Sequence, residues 1–181
     1  MTEQQPYTVL SRHDDFEVRS YPEHVLVQVD VRGALGEGAG AGFGPLFQYI
    51  SGANADRQSI SMTAPVLQQS RGPETQTVSF VMPADMHPAS APAPRDPRVR
   101  TTTVAARTVA ARRFGGMSTT SRLASQGDTL MAAVRASGLT PVGETYYARF
   151  DPPWKPGFLR HNEALVEVTS AESVEHDRPP Q

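Results

Sequence analysis

Apolar and polar residues alternate from Thr8 to Ser11 and again from Phe16 to Tyr21, with Asp14-Asp15 between, a pattern that predicts a β-hairpin. Val25, Val27, Val29 and Val31 keep strict period two, which predicts a strand with one buried face. Pro22 stands at its entrance, where no ladder donor is lost. The period then changes. Phe43, Leu46, Phe47 and Ile50 fall at i, i+3, i+4, i+7, the stripe of an amphipathic helix, and Gly52 follows where a C-cap glycine belongs. This helix is expected from Leu35 to Ser51, firm in its last two turns. Its start crosses the glycine-rich run Gly33 to Gly44, where each interior glycine costs ~1 kcal/mol against alanine.

Further on, Ile60 to Gln68 and Thr75 to Met82 read as strands, and Pro83 to Pro97 as a loop of polyproline character. Arg100 to Ala106 and Thr108 to Phe114 read as a second hairpin. Ser118 to Ser137 is expected as a second helix with Leu123, Leu130, Met131 and Val134 on its apolar face and Gly138 beyond its end. Thr145 to Phe150 and Ala164 to Thr169 close the chain as strands. A single domain over residues 1–169 follows, with 170–181 a polar tail ending in Pro-Pro-Gln and expected to be disordered. Strand–helix–strand–strand thus occurs twice, once around each helix, each copy opening on an arginine-bearing strand, EVRSY and VAARRF. Two such units would build one curved antiparallel sheet with both helices against it, an α+β fold.

Composition narrows the function. With 181 residues, 38% of them hydrophobic, the chain can bury a substantial core. A net charge of −2 gives no basic field for phosphates, which argues against nucleic acid as a partner. The absence of cysteine removes disulfides, zinc-thiolate sites, iron–sulfur clusters and thiolate-ligated or covalently attached heme together. The first residues carry neither a basic nor an apolar leader segment, and no apolar run approaches the ~18 residues of a membrane span, so a cytoplasmic protein without membrane insertion is expected. No GxSxG, P-loop or strand-borne GxGxxG is present, and no nucleophile–base pair supports an enzyme.

The pieces FEVRSYP (16–22), LFQYISGAN (46–54), ISMTAPV (60–66), VSFVMP (78–83), PAPRDPRV (92–99), VAARRFGG (109–116) and DPPW…RHNEALV, in this order, resemble the SOUL heme-binding protein family over Tyr7 to Val168. The resemblance implies a distorted antiparallel β-barrel with two flanking α-helices, and a relation to effector-binding domains of bacterial drug-responsive regulators. It implies that heme or a related tetrapyrrole binds in an apolar groove beside the first helix. The position of the axial histidine proposed in one branch of the family is Ser20 here, so that ligand is missing. Groove positions proposed for a sister branch fall on Phe43 and Phe47. A basic groove residue falls on Gly40 and is lost, and a propionate-binding lysine corresponds to Lys155, the single lysine of the chain.

Each candidate also has a plain reading. Phe43 and Phe47 share the stripe of Leu46 and Ile50, which packs as core unless two phenyl faces one turn apart form a wall for a flat ligand. Trp154 covers an open end of the barrel or contacts ligand, and Lys155 faces solvent or pairs with a propionate. Arg160 and His161 form a solvated strand entrance, with His161 the best remaining candidate for an iron ligand. Glu163, followed by apolar residues, buries a carboxylate that needs Arg19 or Arg112 as counter-charge. The leading expectation is a non-enzymatic carrier or buffer of heme or another planar hydrophobic ligand. The alternatives are an enzyme acting on a bound tetrapyrrole or small hydrophobic molecule through Glu163, Tyr146, Tyr147 and His161, and a protein-interaction module using the second helix.

Overall fold

A computed structural model describes residues 2–36, 39–152 and 154–169, so the tail 170–181 lies outside it. In chain order the strands and helices are β1 (Glu3–Gln4), β2 (Thr8–Arg12), β3 (Glu17–Tyr21), β4 (His24–Arg32), α1 (Ala39–Ile50), β5 (Thr63–Ala64) and β6 (Val66–Ser70). They continue with β7 (Thr75–Val81), β8 (Val99–Val104), β9 (Arg107–Gly115), α2 (Thr120–Ala136), β10 (Thr140–Arg149) and β11 (His161–Thr169). Nine strands form one antiparallel sheet in the order β2-β3-β9-β11-β10-β6-β7-β4-β8, and β1 pairs with β5 in parallel beside it.

The internal repeat is present as β4-α1-β6-β7 and β9-α2-β10-β11. From the seam where β6 pairs β10, each half runs second, third, first strand: β6-β7-β4 on one side, β10-β11-β9 on the other. EVRSY is not the opening strand of the first copy. It is β3, which pairs with VAARRF in β9, while β8 pairs with β4. Each half therefore lends its outer strand to the other. The hairpin expected from Arg100 to Phe114 does not form, because only Ala105-Ala106 separates β8 from β9 and neither residue favours the positive φ of a tight hairpin turn.

Three apolar clusters hold the sheet. Under α2 lie Phe16, Val18, Ala110, Phe114, Leu123, Leu130, Val134, Tyr147, Ala164, Val166 and Val168. Under α1 lie Val25, Val27, Val29, Leu46, Tyr49, Ile50, Ile60, Val78, Phe80, Met82 and Val99. A third cluster fills the opposite face with Tyr21, Leu26, Leu67, Val81, Val109, Ala111, Tyr146, Ala148 and Leu165. β4 buries Val25, Val27 and Val29 on one face as expected, and on the other only Leu26, since Gln28 is half-buried and Asp30 and Arg32 are exposed. The third cluster joins residues of β3 and β4, far apart in sheet order, so the sheet curls around it. It curls without closing. Among the described residues no pairing joins β2 to β8, so closure into the expected barrel is not seen.

Candidate ligand-binding site

α1 buries a different stripe from the one its spacing suggests. Gly42, Leu46, Tyr49 and Ile50 face the sheet, with Leu46 fully buried and the Tyr49 hydroxyl donating to the Pro92 carbonyl at 2.8 Å. Gly42 is required there, since a Cβ would stand 2.7 Å from Val78. This close approach rolls the helix so that Gly40, Phe43, Gly44 and Phe47 occupy the solvent side at i, i+3, i+4, i+7. Phe43 is 38% and Phe47 47% exposed, which corrects the core reading of both rings. The rings stack at 5.7 Å with planes 13° apart, and Phe43 rests edge-on against Phe80 of β7 at 5.2 Å. A side chain at Gly40 or Gly44 would meet nothing within 4 Å. The result is a flat apolar strip, two phenyl rings beside two bare stretches of helix.

The other candidates sit on the loop between β10 and β11, organised by Asp151, which sequence reasoning overlooked. Its carboxylate accepts from Lys155 Nζ at 2.6 Å and from the His161 backbone N–H at 2.5 Å, and these donors hold it below the ordinary carboxylate range against the opposing effect of burial. Arg160 Nε donates to the Lys155 carbonyl at 2.8 Å. Trp154 is 82% exposed, and so covers nothing. The His161 ring stacks on Phe150 at 4.2 Å and its Nε2 lies 2.9 Å from Glu163 Oε1.

Glu163 is 2% exposed and meets Arg19 through two parallel hydrogen bonds of 2.7 and 3.0 Å. Burial alone would disfavour its charge. The His161 and Arg19 hydrogen bonds outweigh that, holding its carboxyl low, while the same pairing raises the Arg19 guanidinium against its own desolvation. The guanidinium also lies 4.2 Å from the Tyr7 ring centre and donates to the Tyr21 hydroxyl, whose pKa burial pushes up to about 12. Arg112, the other proposed counter-charge, turns to Asp15 instead.

Of the four acid–base candidates, Glu163 and His161 are adjacent and Tyr146 faces the same apolar cluster, but Tyr147 faces α2 on the opposite side of the sheet. A cavity of about 290 Å3 opens on the face of the third cluster, lined by Leu26, Leu67, Val104, Arg107, Tyr146 and Glu167 among others. Phe43 and Phe47 belong to the α1 half of the sheet, Lys155, Arg160 and His161 to the α2 half. Gly36 packs against the backbone of Ser118 and Thr120, and Met117 packs against Gly157 in the β10–β11 loop.

Comparison with known proteins agrees with this architecture. The chain is similar in fold to the C-terminal domain of EcmrR, at 13% identity and a TM-score of 0.65, covering 91% of this chain and 99% of that domain. An uncharacterized conserved protein from Listeria innocua is similar at 13% identity and a TM-score of 0.63, covering 88% and 94%. A hydrolase from the same organism is similar at 12% identity and a TM-score of 0.58, covering 88% and 94%. At such identities only the fold is shared. No curated protein matches the sequence. The family profile described as SOUL heme-binding protein matches residues 2–167, almost the whole chain, and the protein belongs to that family.

Proposed function

We propose that this protein binds heme or a related planar tetrapyrrole on the exposed strip of α1, as a carrier or buffer rather than an enzyme. The observation that supports this most is the strip itself. Family membership suggests a tetrapyrrole, and Gly40, Phe43, Gly44 and Phe47 supply a surface on which a macrocycle can lie flat. Glycine in an exposed helix destabilises it by ~1 kcal/mol, so two of them beside two solvent-facing rings make sense as clearance for a ligand. Lys155 and Arg160 are the cations for its propionates, Lys155 having one carboxylate partner and three donors. His161, the expected iron-ligand candidate, is held against Phe150 and Glu163 on the face of the third cluster, away from α1, so binding on the strip is proposed without an axial histidine. The main contribution is apolar. At ~25 cal/mol per Å2, a few hundred Å2 of burial gives several kcal/mol before association costs.

Substitutions at Gly44 separate fold from binding. Gly44→Ala is expected to leave stability within ~0.5 kcal/mol of wild type, because the helical gain of alanine over glycine is offset by crowding of the new Cβ against the Cδ of Pro45, which follows it in the helix. Gly44→Glu is expected to fold as well as wild type yet lower hemin affinity by roughly tenfold or more, by placing a charge on the apolar strip and opposite the propionates. Unchanged hemin affinity in a folded Gly44→Glu protein places the ligand elsewhere.

A further inference from the structure

Four of the most exposed large apolar side chains of the described residues gather at one end of the molecule. Trp154 is 82%, Phe158 81%, Met117 61% and Leu159 55% exposed. They are not on a frayed segment. Asp151 fastens both sides of the loop, Leu159 N donates to the Pro156 carbonyl at 2.9 Å, and Gly157 lies so close to Met117 that a Cβ would stand 2.8 Å from its Cγ. The fold therefore holds these side chains out in water. Large apolar side chains held out on one short loop, with Met117 packed against it, mark an interaction surface.

The charges around the tip say which partner fits. Lys155 and Arg160 are on the loop itself, and Arg149 at the end of β10 is close enough to Arg160 that, after burial, this like charge is what lowers its pKa. Arg122 gives Nε and Nη2 to the Gly115 carbonyl at 3.0 and 2.7 Å, a neutral partner, next to the Gly116-Met117 backbone. Asp151 is the acidic group set among them. The tip is thus basic on a chain of net charge −2. Aromatic and aliphatic side chains flanked by lysine and arginine match the boundary of an anionic bilayer, where the apolar groups enter the acyl edge and the cations stay with the headgroups.

We infer that the tip carrying Met117, Trp154, Phe158 and Leu159, with Lys155, Arg160, Arg149 and Arg122 around it, is a peripheral docking surface for an anionic lipid bilayer. Nothing spans the membrane in this arrangement. Docking is tested on the apo-protein and uses apolar side chains other than those of the α1 strip, while Lys155 and Arg160 are shared with the proposed propionate site.

Trp154 is the single tryptophan, so its emission reads the contact directly. The full chain without heme is mixed with vesicles of phosphatidylcholine alone, or of equal parts phosphatidylcholine and phosphatidylglycerol, and followed by sedimentation and fluorescence. Trp154 emission is expected to shift to the blue with the anionic vesicles, and bound protein to exceed that on neutral vesicles by about tenfold at low salt, falling as salt rises. Phe158→Asp/Leu159→Asp is expected to abolish pelleting with an unchanged melting temperature, since both side chains are exposed. Trp154→Ser, read by sedimentation, is a milder second variant expected to weaken it, and Phe47→Ala is expected to leave it intact. Absence of pelleting with an unmoved emission overturns the inference and leaves the tip to a protein partner. Equal binding to neutral vesicles, or full binding by both tip variants, overturns it as well.

Discussion

Arg19→Ala is expected to destabilise the fold by ~3–5 kcal/mol, the usual cost of stranding one charge of a buried pair. Arg19 is 4% and Glu163 2% exposed, so water cannot replace the two hydrogen bonds that the carboxylate loses. The strands make the loss worse. β3 and β11 are not neighbours but flank β9 on either side, so the ion pair spans three strands near the exchange of outer strands between halves. Arg19→Met combined with Glu163→Leu is expected to recover most of the stability, because two desolvation penalties disappear along with the attraction. Urea unfolding of the three proteins measures this. A single variant within ~1 kcal/mol of wild type would mean that the pair is solvated.

The same pair sets part of the pH response. Glu163 titrates below its ordinary 4.5 in the fold, so its contribution is present above that pH and lost as acid carries the solution down through the lower folded value. His24 acts in the same direction from higher pH. Burial, with Arg107 nearby, lowers it from 6.5, so the fold holds it neutral and loses stability as pH falls below 6.5. Melting temperature is expected to decline in two stages on acidification, with Glu163→Gln reducing only the more acidic stage, to which the lowered carboxyls of Asp30 and Asp151 also contribute.

The second large effect is a contrast between neighbours on α1. Leu46→Ala is expected to cost ~2–5 kcal/mol, as Leu46 is fully buried among Val27, Val78 and Phe80. Phe47→Ala is expected to cost ~1 kcal/mol, since nearly half of that side chain is already in water and its main contact is Phe43. The functional order is the reverse. Phe47→Ala is expected to weaken hemin binding by roughly tenfold, about 1.4 kcal/mol, and Leu46→Ala to bind normally wherever it remains folded. Thermal melts and hemin titrations on the same preparations decide between this and a core role for Phe47.

What the sequence disclosed follows the range of the forces involved. The β2–β3 hairpin, both helices, the Gly52 and Gly138 caps and the doubled strand–helix–strand–strand unit rest on local signals and are present, although α1 starts at Ala39 rather than Leu35 and the first unit opens on β4 rather than on EVRSY. The burial of Glu163 against Arg19 was legible too, because a carboxylate beside Ala164-Leu165-Val166 must find a counter-charge. The separation of β8 from β9 was hidden, since each pairs with a strand distant in sequence and both alternate as a hairpin would. The rotation of α1 was hidden for a related reason. Gly42 carries no hydrophobicity of its own, yet its contact with Val78 decides which side of the helix faces the sheet, and so which phenylalanines reach solvent. Asp151 gave no signal beyond a DPP turn, and its partners are known only from the folded loop.

Titration of hemin into the wild type and into a Phe43→Ala/Phe47→Ala double variant, followed through the Soret band, tests the central claim most directly. The wild type is expected to give a saturable shift in the micromolar range, and the double variant, still folded by circular dichroism, to lose most of that affinity. A wild-type shift no larger than that of an unrelated protein of similar surface, or a double variant that binds as tightly as wild type, would contradict tetrapyrrole binding on the α1 strip.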